Sequence, residues 1–244
     1  MNTQGRVVLV TGSSRGIGLD IAKCFAARGD RVVLNGREDS AALAAAINDL
    51  NAMGHTATGF LADLSDYDKA CEMFEQIKSI FGPVEVLVNN AGAAYYGLFT
   101  DMQPNDWQKV LADNLLTQVN ASHLAVPDMV RAKRGCIINI TSVWGITGAS
   151  CEVMYSAAKA GVIGFTKALA KELGPSGVRV NAINCGAFDT RMLDGFSEEE
   201  KCDFVEGIPL GRFGCPGEVG ELAVFMAGTG YMTGEVVGLD GGLG

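Results

Sequence analysis

Residues 6–18 read RVVLVTGSSRGIG, and this stretch decides the fold. An apolar, β-branched run passes directly into a loop that contains Gly12, Gly16 and Gly18, and a helical pattern follows. A run that is apolar on both faces predicts a strand buried on both sides. Glycines after it allow a tight turn and let backbone N–H groups approach a pyrophosphate at the helix N-terminus. The stretch therefore predicts a strand, an anion-binding loop and a helix, with an ordinary βα turn as the alternative.

The same alternation of short apolar runs and helical patterns continues along the rest of the sequence. Strands are predicted at residues 6–11, 31–35, 57–62, 84–89, 136–141, 178–184 and 236–239. Helices are predicted at residues 16–28, 40–53, 67–81, 104–123, 155–173 and 216–226. Regular βα alternation without a linker or repeat predicts one α/β domain over residues 1–244, with a doubly wound parallel sheet and helices on both faces.

One segment interrupts this alternation, between the strand at 178–184 and the helix at 216–226. It holds a charged cluster at residues 197–201, SEEEK, and it is long for a loop inside a compact domain. Because it follows the carboxyl end of a strand, where open α/β sheets bind ligands, we predict a substrate lid over approximately residues 186–214.

Composition excludes several classes of partner. The 244 residues carry a formal net charge of −9, which argues against nucleic acid or an anionic membrane surface as a partner. The sequence has no apolar run long enough for a transmembrane helix. Its seven cysteines contain no Cys-x-x-Cys pair and its two histidines have no second ligand nearby, so we predict reduced thiols, a cytoplasmic location and no metal site.

The end of the second predicted strand bears on the choice of dinucleotide. Residues 35–37, NGR, place no acid at the strand end itself, although Glu38 and Asp39 follow closely. Enzymes that prefer NAD place an acid about here to bind the ribose hydroxyls. Arg15 and Arg37 together suit a 2′-phosphate, because a guanidinium matches phosphate geometry. NADP is therefore predicted over NAD, with two solvated surface arginines as the alternative.

A set of polar residues in the middle of the chain predicts acid–base chemistry. Tyr155 and Lys159 are four residues apart in a helical pattern, so both side chains share one helical face. An ammonium near a phenol lowers the tyrosine pKa and equips it as an acid or base. Ser142 ends the preceding strand, where its hydroxyl can polarise a carbonyl, and Asn114 and Asn90 follow the fourth strand. Each has a structural alternative, as a cap or a turn former.

In this order, these residues resemble the short-chain dehydrogenase/reductase family over the full length of the chain. The matching elements are residues 11–18, residues 89–92, Asn114, Ser142, Tyr155 and Lys159. The resemblance implies a single-domain Rossmann fold with a seven-stranded parallel sheet, and an NAD(P)-dependent oxidoreductase acting on a carbonyl or an alcohol. It also implies a homodimer or homotetramer, for which the helices at 104–123 and 155–173 and the tail at 235–244 are the expected surfaces.

The resemblance further implies a role for each matched residue. Ser142 and Tyr155 would bind the carbonyl oxygen, and Tyr155 would donate the proton. Lys159 would hold the nicotinamide ribose and tune Tyr155, while Asn114 would anchor a water in the proton relay. The implied cofactor-binding positions are Gly12, Ser14, Arg15, Gly16, Ile17, Gly18, Arg37, Asp63, Leu64, Asn90, Ala91, Gly92, Tyr155, Lys159, Gly186 and Thr190.

Two substrates stay open. The general pattern is similar to bacterial 3-oxoacyl-acyl-carrier-protein reductases of fatty acid biosynthesis, which implies a carrier-bound ketone. Residues 142–145 and 148–153 are more particularly similar to reductases that act on elongation factor P carrying a 5-aminopentanone group. Ser176 stands where acyl carrier enzymes tend to have a basic residue, which would weaken docking of an acidic carrier protein. Arg131, Lys133 and Arg134 remain as a basic patch or, alternatively, as a solvated helix end.

One residue departs from the family pattern, and one other class of function remains. Cys185 precedes Gly186 where the family commonly has proline, so the loop beside the nicotinamide is expected to be freer. The remaining alternative is a non-catalytic dinucleotide sensor. A sensor needs none of the four predicted catalytic residues, and their presence together therefore favours an enzyme.

Overall fold

The computed structural model describes residues 5–190 and 197–244. Within these residues, seven strands form one sheet in the order β3-β2-β1-β4-β5-β6-β7, and all neighbouring strands are parallel. The strands are β1 (Val7–Val10), β2 (Arg31–Gly36), β3 (Ala57–Leu61), β4 (Val86–Asn89), β5 (Gly135–Ser142), β6 (Val178–Cys185) and β7 (Val236–Leu239). The helices are α1 (Gly16–Ala27), α2 (Ser40–Ala52), α3 (Tyr67–Phe81), α4 (Pro104–Leu111), α5 (Thr117–Ala132), α6 (Trp144–Thr147), α7 (Val153–Leu173), α8 (Glu198–Glu206) and α9 (Pro216–Gly228). The predicted α/β class and parallel sheet are confirmed.

The sheet is buried on both faces because alternate residues of each strand enter two separate cores. Val8 and Val10 of β1 pack in the core formed with α1, α2 and α9. Val7 and Leu9 pack in the core on the other face, with α3, α5 and α7. All four side chains are essentially inaccessible to solvent. Burial of apolar surface on both faces is what makes the short β-branched runs stable as central strands.

The strand order places a ligand crevice at one position. Successive strands run outward from β1 to β3 on one side and from β4 to β7 on the other, so the order reverses between β1 and β4. The loops that follow these two strands leave in opposite directions and open a crevice at the carboxyl edge of the sheet. The glycine-containing loop after β1, residues 11–15, lies at this edge.

The helix predicted at 104–123 is wrong in its extent. The structure has α4, then a π-helical turn at Ala112–Leu116, then α5, which continues to Ala132. Pro127 lies inside α5 without ending it, because the apolar side chains beyond it still pack on the sheet; Met129 is buried there. Most other predicted ends differ by one or two residues, since strand ends are set by pairing with neighbours and helix ends fray.

Helix α8 lies within the predicted lid and was missed as a helix. Its start is a capping box, in which the Ser197 hydroxyl accepts from the backbone N–H of Glu200 and the Glu200 carboxylate accepts from the backbone N–H of Ser197. The spacing Ser-x-x-Glu is a recognisable helix start. The rest of the predicted lid includes residues 191–196, which lie outside the described residues, so its role as a lid stays a prediction. The short helix α6 was also not predicted.

Two further findings concern the predictions from composition. No helix in the described part of the chain is long and apolar enough to cross a membrane. All seven cysteines are free thiols in the structure.

Close packing of α1 against α9 gives a test of the fold. A Cβ added at Gly220 would lie 2.5 Å from Sγ of Cys24 and 3.0 Å from the carbonyl oxygen of Asp20. Gly220→Ala is therefore expected to lower the free energy of unfolding by about 1–3 kcal/mol, because α9 must move away from α1. Urea denaturation measures the change.

The matched control is Gly217→Ala in the same helix, where an added Cβ would have no atom within 4 Å. Alanine there is expected to leave stability unchanged or to raise it by up to about 1 kcal/mol. If the two variants were equally stable, close packing of α1 on α9 would not require glycine at position 220.

Candidate active site

Two adjoining cavities run along the carboxyl edge of the sheet, and they bring the predicted residues together. The first has a volume of about 310 Å³, the second about 290 Å³, and they share Gly92 and Ala93 in their walls. The predicted residues in the first wall are Gly12, Ser14, Arg15, Arg37, Asp63, Leu64, Ala91 and Gly92. Those in the second wall are Ile17, Asn90, Gly92, Asn114, Ser142, Tyr155, Lys159, Gly186 and Thr190. A third cavity of about 670 Å³ is larger but lies at the opposite edge of the sheet, away from all of these residues.

The glycine loop forms the floor of the crevice. Gly12 and Gly16 have φ angles of 60° and 57°, a region that side chains disfavour. A Cβ at Gly12 would lie 2.8 Å from Cα of Ala91, and one at Gly18 would lie 2.5 Å from Nδ2 of Asn90. These glycines therefore let the loop approach the end of β4. Neither Gly16 nor Gly18 lines either of the two cavities, so their predicted contact with a cofactor stays a prediction.

The start of α1 is suited to an anion. Its N-cap, Arg15, makes no side-chain capping hydrogen bond, so the N–H groups of the first turn are open to a ligand. The helix dipole adds partial positive charge at the same point. The cradle formed by the glycines together with these N–H groups fits a dinucleotide pyrophosphate.

Hydrogen bonds tie the two sides of the crevice together. The Thr11 hydroxyl oxygen accepts from the backbone N–H groups of Asn90 and Ala91, both at 2.9 Å. In return, Nδ2 of Asn90 donates to the carbonyl oxygens of Thr11 and Gly12, both at 3.0 Å. Asn90 was predicted either to form a turn or to line the cofactor site. The two interpretations are compatible, because its side chain holds the loop and the residue also lines the second cavity.

The first cavity ends among charged side chains. Burial alone would raise the pKa of Asp63, but hydrogen bonds from the Ser65 hydroxyl and backbone N–H, together with the charge of Arg37, hold it below the usual value. Arg37 and Arg15 both lie in the wall, as predicted. Each also has an acidic partner: Nη1 of Arg37 is 3.0 Å from Asp113, and Nη1 of Arg15 is 3.5 Å from Asp39.

The second cavity holds the predicted serine, tyrosine and lysine. Ser142 ends β5, and its Oγ accepts from the backbone N–H of Trp144 at 3.3 Å. Tyr155 lies in the first turn of α7, and Lys159 follows one turn later. Nζ of Lys159 donates to the carbonyl oxygen of Ile140 at 3.2 Å and lies 5.5 Å from the centre of the Tyr155 ring. A strand end and a helix start therefore bring the three side chains into one cavity.

The prediction that Lys159 lowers the pKa of Tyr155 is wrong for this structure. Burial raises the pKa of the Tyr155 hydroxyl, the negative charge of Glu152 raises it further, and the neighbouring Ser142 hydroxyl lowers it only in part. Burial also lowers the pKa of Lys159 to about 8. Lys159 lies over the ring face and is held by Ile140, so it does not stabilise a phenolate directly. Tyr155 is consequently protonated at neutral pH, which suits a proton donor.

Asn114 lies in the π-helical turn, and its side chain organises the loop after β4. Nδ2 donates to the carbonyl oxygens of Ala93 at 2.8 Å and Val110 at 3.0 Å, and Oδ1 accepts from the backbone N–H of Ala93. A Cβ at Gly92 would lie 2.6 Å from Oδ1 of Asn114 and 3.4 Å from Nζ of Lys159. Only glycine therefore fits between Asn114 and Lys159. The water contact expected of Asn114 stays a prediction.

Cys185 ends β6, and backbone hydrogen bonds hold it on both sides. Its carbonyl oxygen accepts from the N–H of Val143 at 2.8 Å, and the next N–H, of Gly186, donates to Leu239 at 3.0 Å. The thiol is buried, and burial raises its pKa to about 12, so it stays neutral. Strand pairing on both sides holds Cys185 itself, and the greater freedom expected of the loop beyond it stays a prediction.

Several residues of the second cavity were not singled out from the sequence. Tyr96 and Phe204 contribute to its wall, from the loop after β4 and from α8. Trp144 and Glu152 also line it. They belong to residues 142–145 and 148–153, the two segments noted for their similarity to reductases of modified elongation factor P. No sequence pattern shows which residues of a loop, or of a helix that follows a long loop, turn towards a cavity, so Tyr96 and Phe204 had no usable signal.

Comparisons with known proteins agree with this geometry. The family model described as short chain dehydrogenase matches residues 6–201. The chain is 42% identical over 242 residues to the 3-oxoacyl-acyl-carrier-protein reductase FabG of Aquifex aeolicus, covering 98% of each protein. It is 36% identical over 245 residues to the protein of the same name from Escherichia coli, covering 100% of this chain and 99% of that protein. An uncharacterized oxidoreductase of Bacillus subtilis is 38% identical over 240 residues, which cover 97% of this chain and 98% of that protein.

Solved structures show the same fold. A putative gluconate dehydrogenase from Agrobacterium tumefaciens superimposes with a TM-score of 0.94 at 30% identity, covering 98% of this chain and 96% of that one. A 3-oxoacyl-acyl-carrier-protein reductase from Brucella melitensis superimposes with a TM-score of 0.93 at 35% identity, covering 99% of this chain and 92% of that one.

Removal of the Tyr155 hydroxyl tests its assignment as the proton donor. Tyr155→Phe is expected to lower kcat about 10²–10⁴-fold, because the ring still packs but no proton can be delivered. Titration of protein fluorescence is expected to show nearly unchanged dinucleotide binding. Tyr67→Phe, at the exposed hydroxyl that contacts His123, is the control and should keep full turnover. Near-normal turnover of Tyr155→Phe would rule this hydroxyl out as the proton donor.

Proposed function

The chain belongs to the short-chain dehydrogenase family, and from this premise we propose that it reduces a ketone to a secondary alcohol with NADPH. One observation carries the proposal. Ser142, Tyr155 and Lys159 converge in a cavity that continues into the crevice of the glycine loop, so a carbonyl group and a dinucleotide can bind side by side.

The residues present fit a nicotinamide dinucleotide. The pyrophosphate would lie against Gly12 and the start of α1, and the adenosine would extend along the first cavity towards Asp63 and Leu64. The nicotinamide end would reach the second cavity, past Gly92 and towards Thr190. When bound, the dinucleotide supplies the hydride that the carbonyl carbon receives.

The chain's own residues supply the proton and the positioning. Ser142 and Tyr155 would donate hydrogen bonds to the carbonyl oxygen, which gains negative charge as its carbon is reduced. Tyr155 would then pass its phenolic proton to that oxygen, and the raised pKa of its hydroxyl keeps the proton in place until then. Lys159, held at Ile140, would orient the ribose and place positive charge beside the ring. Asn114 would hold the loop at Ala93 and take part in the return of a proton to Tyr155.

Preference for NADPH is part of the proposal. Strand β2 ends at Gly36 without an acidic side chain, and Arg15 and Arg37 line the cavity where the 2′-phosphate would lie. Asp113, which is buried, pairs with Arg37 and orients its guanidinium in the wall. Glu38 and Asp39 line the same cavity with negative charges that disfavour a phosphate. The preference for NADPH therefore depends on the positive charges of Arg15 and Arg37.

For the substrate, we favour a 3-oxoacyl group borne by a carrier protein, because the reductases named above are described as acting on such groups. The docking patch expected for an acidic carrier is weakened, since Arg131 pairs with Asp128 and Arg134 pairs with Glu85. Elongation factor P carrying a 5-aminopentanone group is the second candidate. It is favoured by Trp144 and Glu152, which lie in the cavity wall and belong to the two segments, 142–145 and 148–153, that resemble reductases of this modified factor.

The remaining proposals concern organisation. We propose one domain over residues 1–244 with a substrate lid near 186–214, in a homodimer or homotetramer. Leu116 between α4 and α5 and Phe225 on α9 are exposed apolar side chains, which supports association. Free thiols at all seven cysteines fit a reducing, cytoplasmic location. The dinucleotide sensor remains a remote alternative, since a sensor does not need a serine, tyrosine and lysine in one cavity.

Cofactor choice tests the role of Arg37. Arg37→Asp is expected to weaken NADPH binding about 10-fold or more and NADH binding much less, because only NADPH carries the 2′-phosphate that the guanidinium would bind. Fluorescence titration with both dinucleotides measures the two dissociation constants. Arg28→Asp makes the same charge change at an exposed site after α1 and should affect neither. Equal losses for both dinucleotides in Arg37→Asp would show that Arg37 does not distinguish them.

The function itself is tested by NADPH consumption with a panel of ketones. The panel contains a 3-oxoacyl thioester, the same group on acyl carrier protein, and elongation factor P carrying a 5-aminopentanone group. Strong turnover of the thioester supports the first candidate, and turnover confined to the modified elongation factor supports the second. Absence of turnover with every ketone, despite NADPH binding, would favour the sensor.

A further inference from the structure

The carboxylate of Glu152 lies in the wall of the substrate cavity, where the reduction of a carbonyl does not require it. Glu152 is the residue before α7, three positions ahead of Tyr155, and it lines the same cavity as Tyr155 and Ser142. It is half-buried, and its charge acts on the Tyr155 hydroxyl. A negative charge at this position makes Tyr155 a weaker acid. It also disfavours the negative charge that the carbonyl oxygen gains beside Tyr155 during reduction.

This carboxylate has no partner in the described part of the chain. It makes no ion pair there and accepts no hydrogen bond, and burial is the sole cause of the rise in its pKa. Other acids with little exposure are paired: Asp30 with Arg6, and Asp113 with both Arg37 and Lys109. Because a partly desolvated carboxylate without a partner destabilises a protein, Glu152 differs from the acids that serve structure.

The backbone around Glu152 is held in an unfavourable conformation that fixes its direction. The preceding residue, Cys151, has a φ of 63°, which a residue with a side chain rarely adopts. The carbonyl oxygen of Cys151 accepts from the N–H of Gly97 at 2.9 Å, and the N–H of Ala149 donates to Oγ of Ser156 at 3.2 Å. Strained positions that the surroundings hold in place are concentrated at ligand sites.

Aromatic side chains complete this part of the cavity. Tyr96, Trp144 and Phe204 line it together with Glu152, and the charge of Glu152 also acts on the Tyr96 hydroxyl. Aromatic faces attract cations, and a carboxylate beside them supplies the opposite charge. A carboxylate that has no partner among the described residues, and that shares a cavity with aromatic rings, suits the binding of an ammonium group.

We propose that Glu152 is a specificity-determining residue that selects ketones carrying an ammonium group. The inference rests on the proposed ketone reduction and favours the second candidate substrate over the carrier-bound 3-oxoacyl group, because it places the carbonyl at Ser142 and Tyr155 and an ammonium at Glu152 within one cavity of about 290 Å³. Occupation by a cation would also cancel the field of Glu152 at Tyr155. A cationic ketone is therefore expected to react faster once bound, in addition to binding more tightly.

The test compares two ketones of the same shape that differ only in charge, 5-(trimethylammonio)pentan-2-one and 6,6-dimethylheptan-2-one. The full chain with NADPH is expected to prefer the cationic ketone in kcat/KM by about 10-fold or more, as for an interaction between charged groups in a partly buried site. Part of that preference should appear in kcat. Glu152→Gln keeps the shape of the side chain and removes the charge, so the ratio of the two kcat/KM values should fall to near one.

Glu199→Gln is the matched control, because it removes one exposed negative charge from α8 without touching the cavity. It should keep the wild-type ratio. An unchanged ratio in Glu152→Gln would overturn the proposal while leaving the proposed ketone reduction in place. If the wild-type protein consumed NADPH with neither these ketones nor the thioester panel, the proposed function would fail, and the inference about Glu152 would fail with it.

Discussion

The hydrogen bonds between Thr11 and Asn90 are the constraint on which the site depends. They join the end of β1 to the end of β4 at the point where the strand order reverses, and they do so with one hydroxyl and one side-chain amide. Because Gly12 and Gly18 have no side chain, the loop can lie directly against this junction. The crevice for the dinucleotide is thus a consequence of strand order, two polar side chains and the absence of Cβ atoms. A bulkier residue at either glycine would separate the two strand ends.

A second buried network positions the side chains of Tyr155 and Lys159 relative to that crevice. Nδ2 of Asn89 donates to Ser122 and Asn139, and Nδ2 of Asn139 donates to Thr166 of α7. The Thr141 hydroxyl donates to the carbonyl oxygen of Lys159, which holds the first half of α7 on β5. The side chains of this network are buried and each of these donors is paired, so the bonds rigidify the helix that carries Tyr155 and Lys159, although Oδ1 of Asn89 has no partner among the described residues. Burial on this helix also explains why Tyr155 keeps its proton and why the pKa of Lys159 falls.

The sequence was most informative where backbone requirements are strict. Gly12, Gly16 and Gly18 after an apolar run predicted the crevice, and the run of βα units predicted the parallel sheet. The spacing of Tyr155 and Lys159 predicted one helical face, and the structure places both in one cavity. The pKa of Tyr155 was predicted in the wrong direction, because spacing does not reveal how deeply two groups are buried. Long-range contacts were equally hidden: nothing local shows that Phe204 lines the same cavity as Tyr155, or that Arg37 pairs with Asp113.

The proposed reaction requires a dinucleotide and a ketone in contact within the two cavities, with Tyr155 as the source of the proton. The most direct measurement follows deuterium from NADPH that is labelled at the transferable position of the nicotinamide to the product of a 3-oxoacyl thioester, by mass spectrometry. The proposed reaction gives an alcohol with deuterium at the carbinol carbon, with one NADPH consumed per alcohol formed. An alcohol without deuterium, or NADPH that binds but is not consumed while Tyr155 and Lys159 are intact, would contradict it.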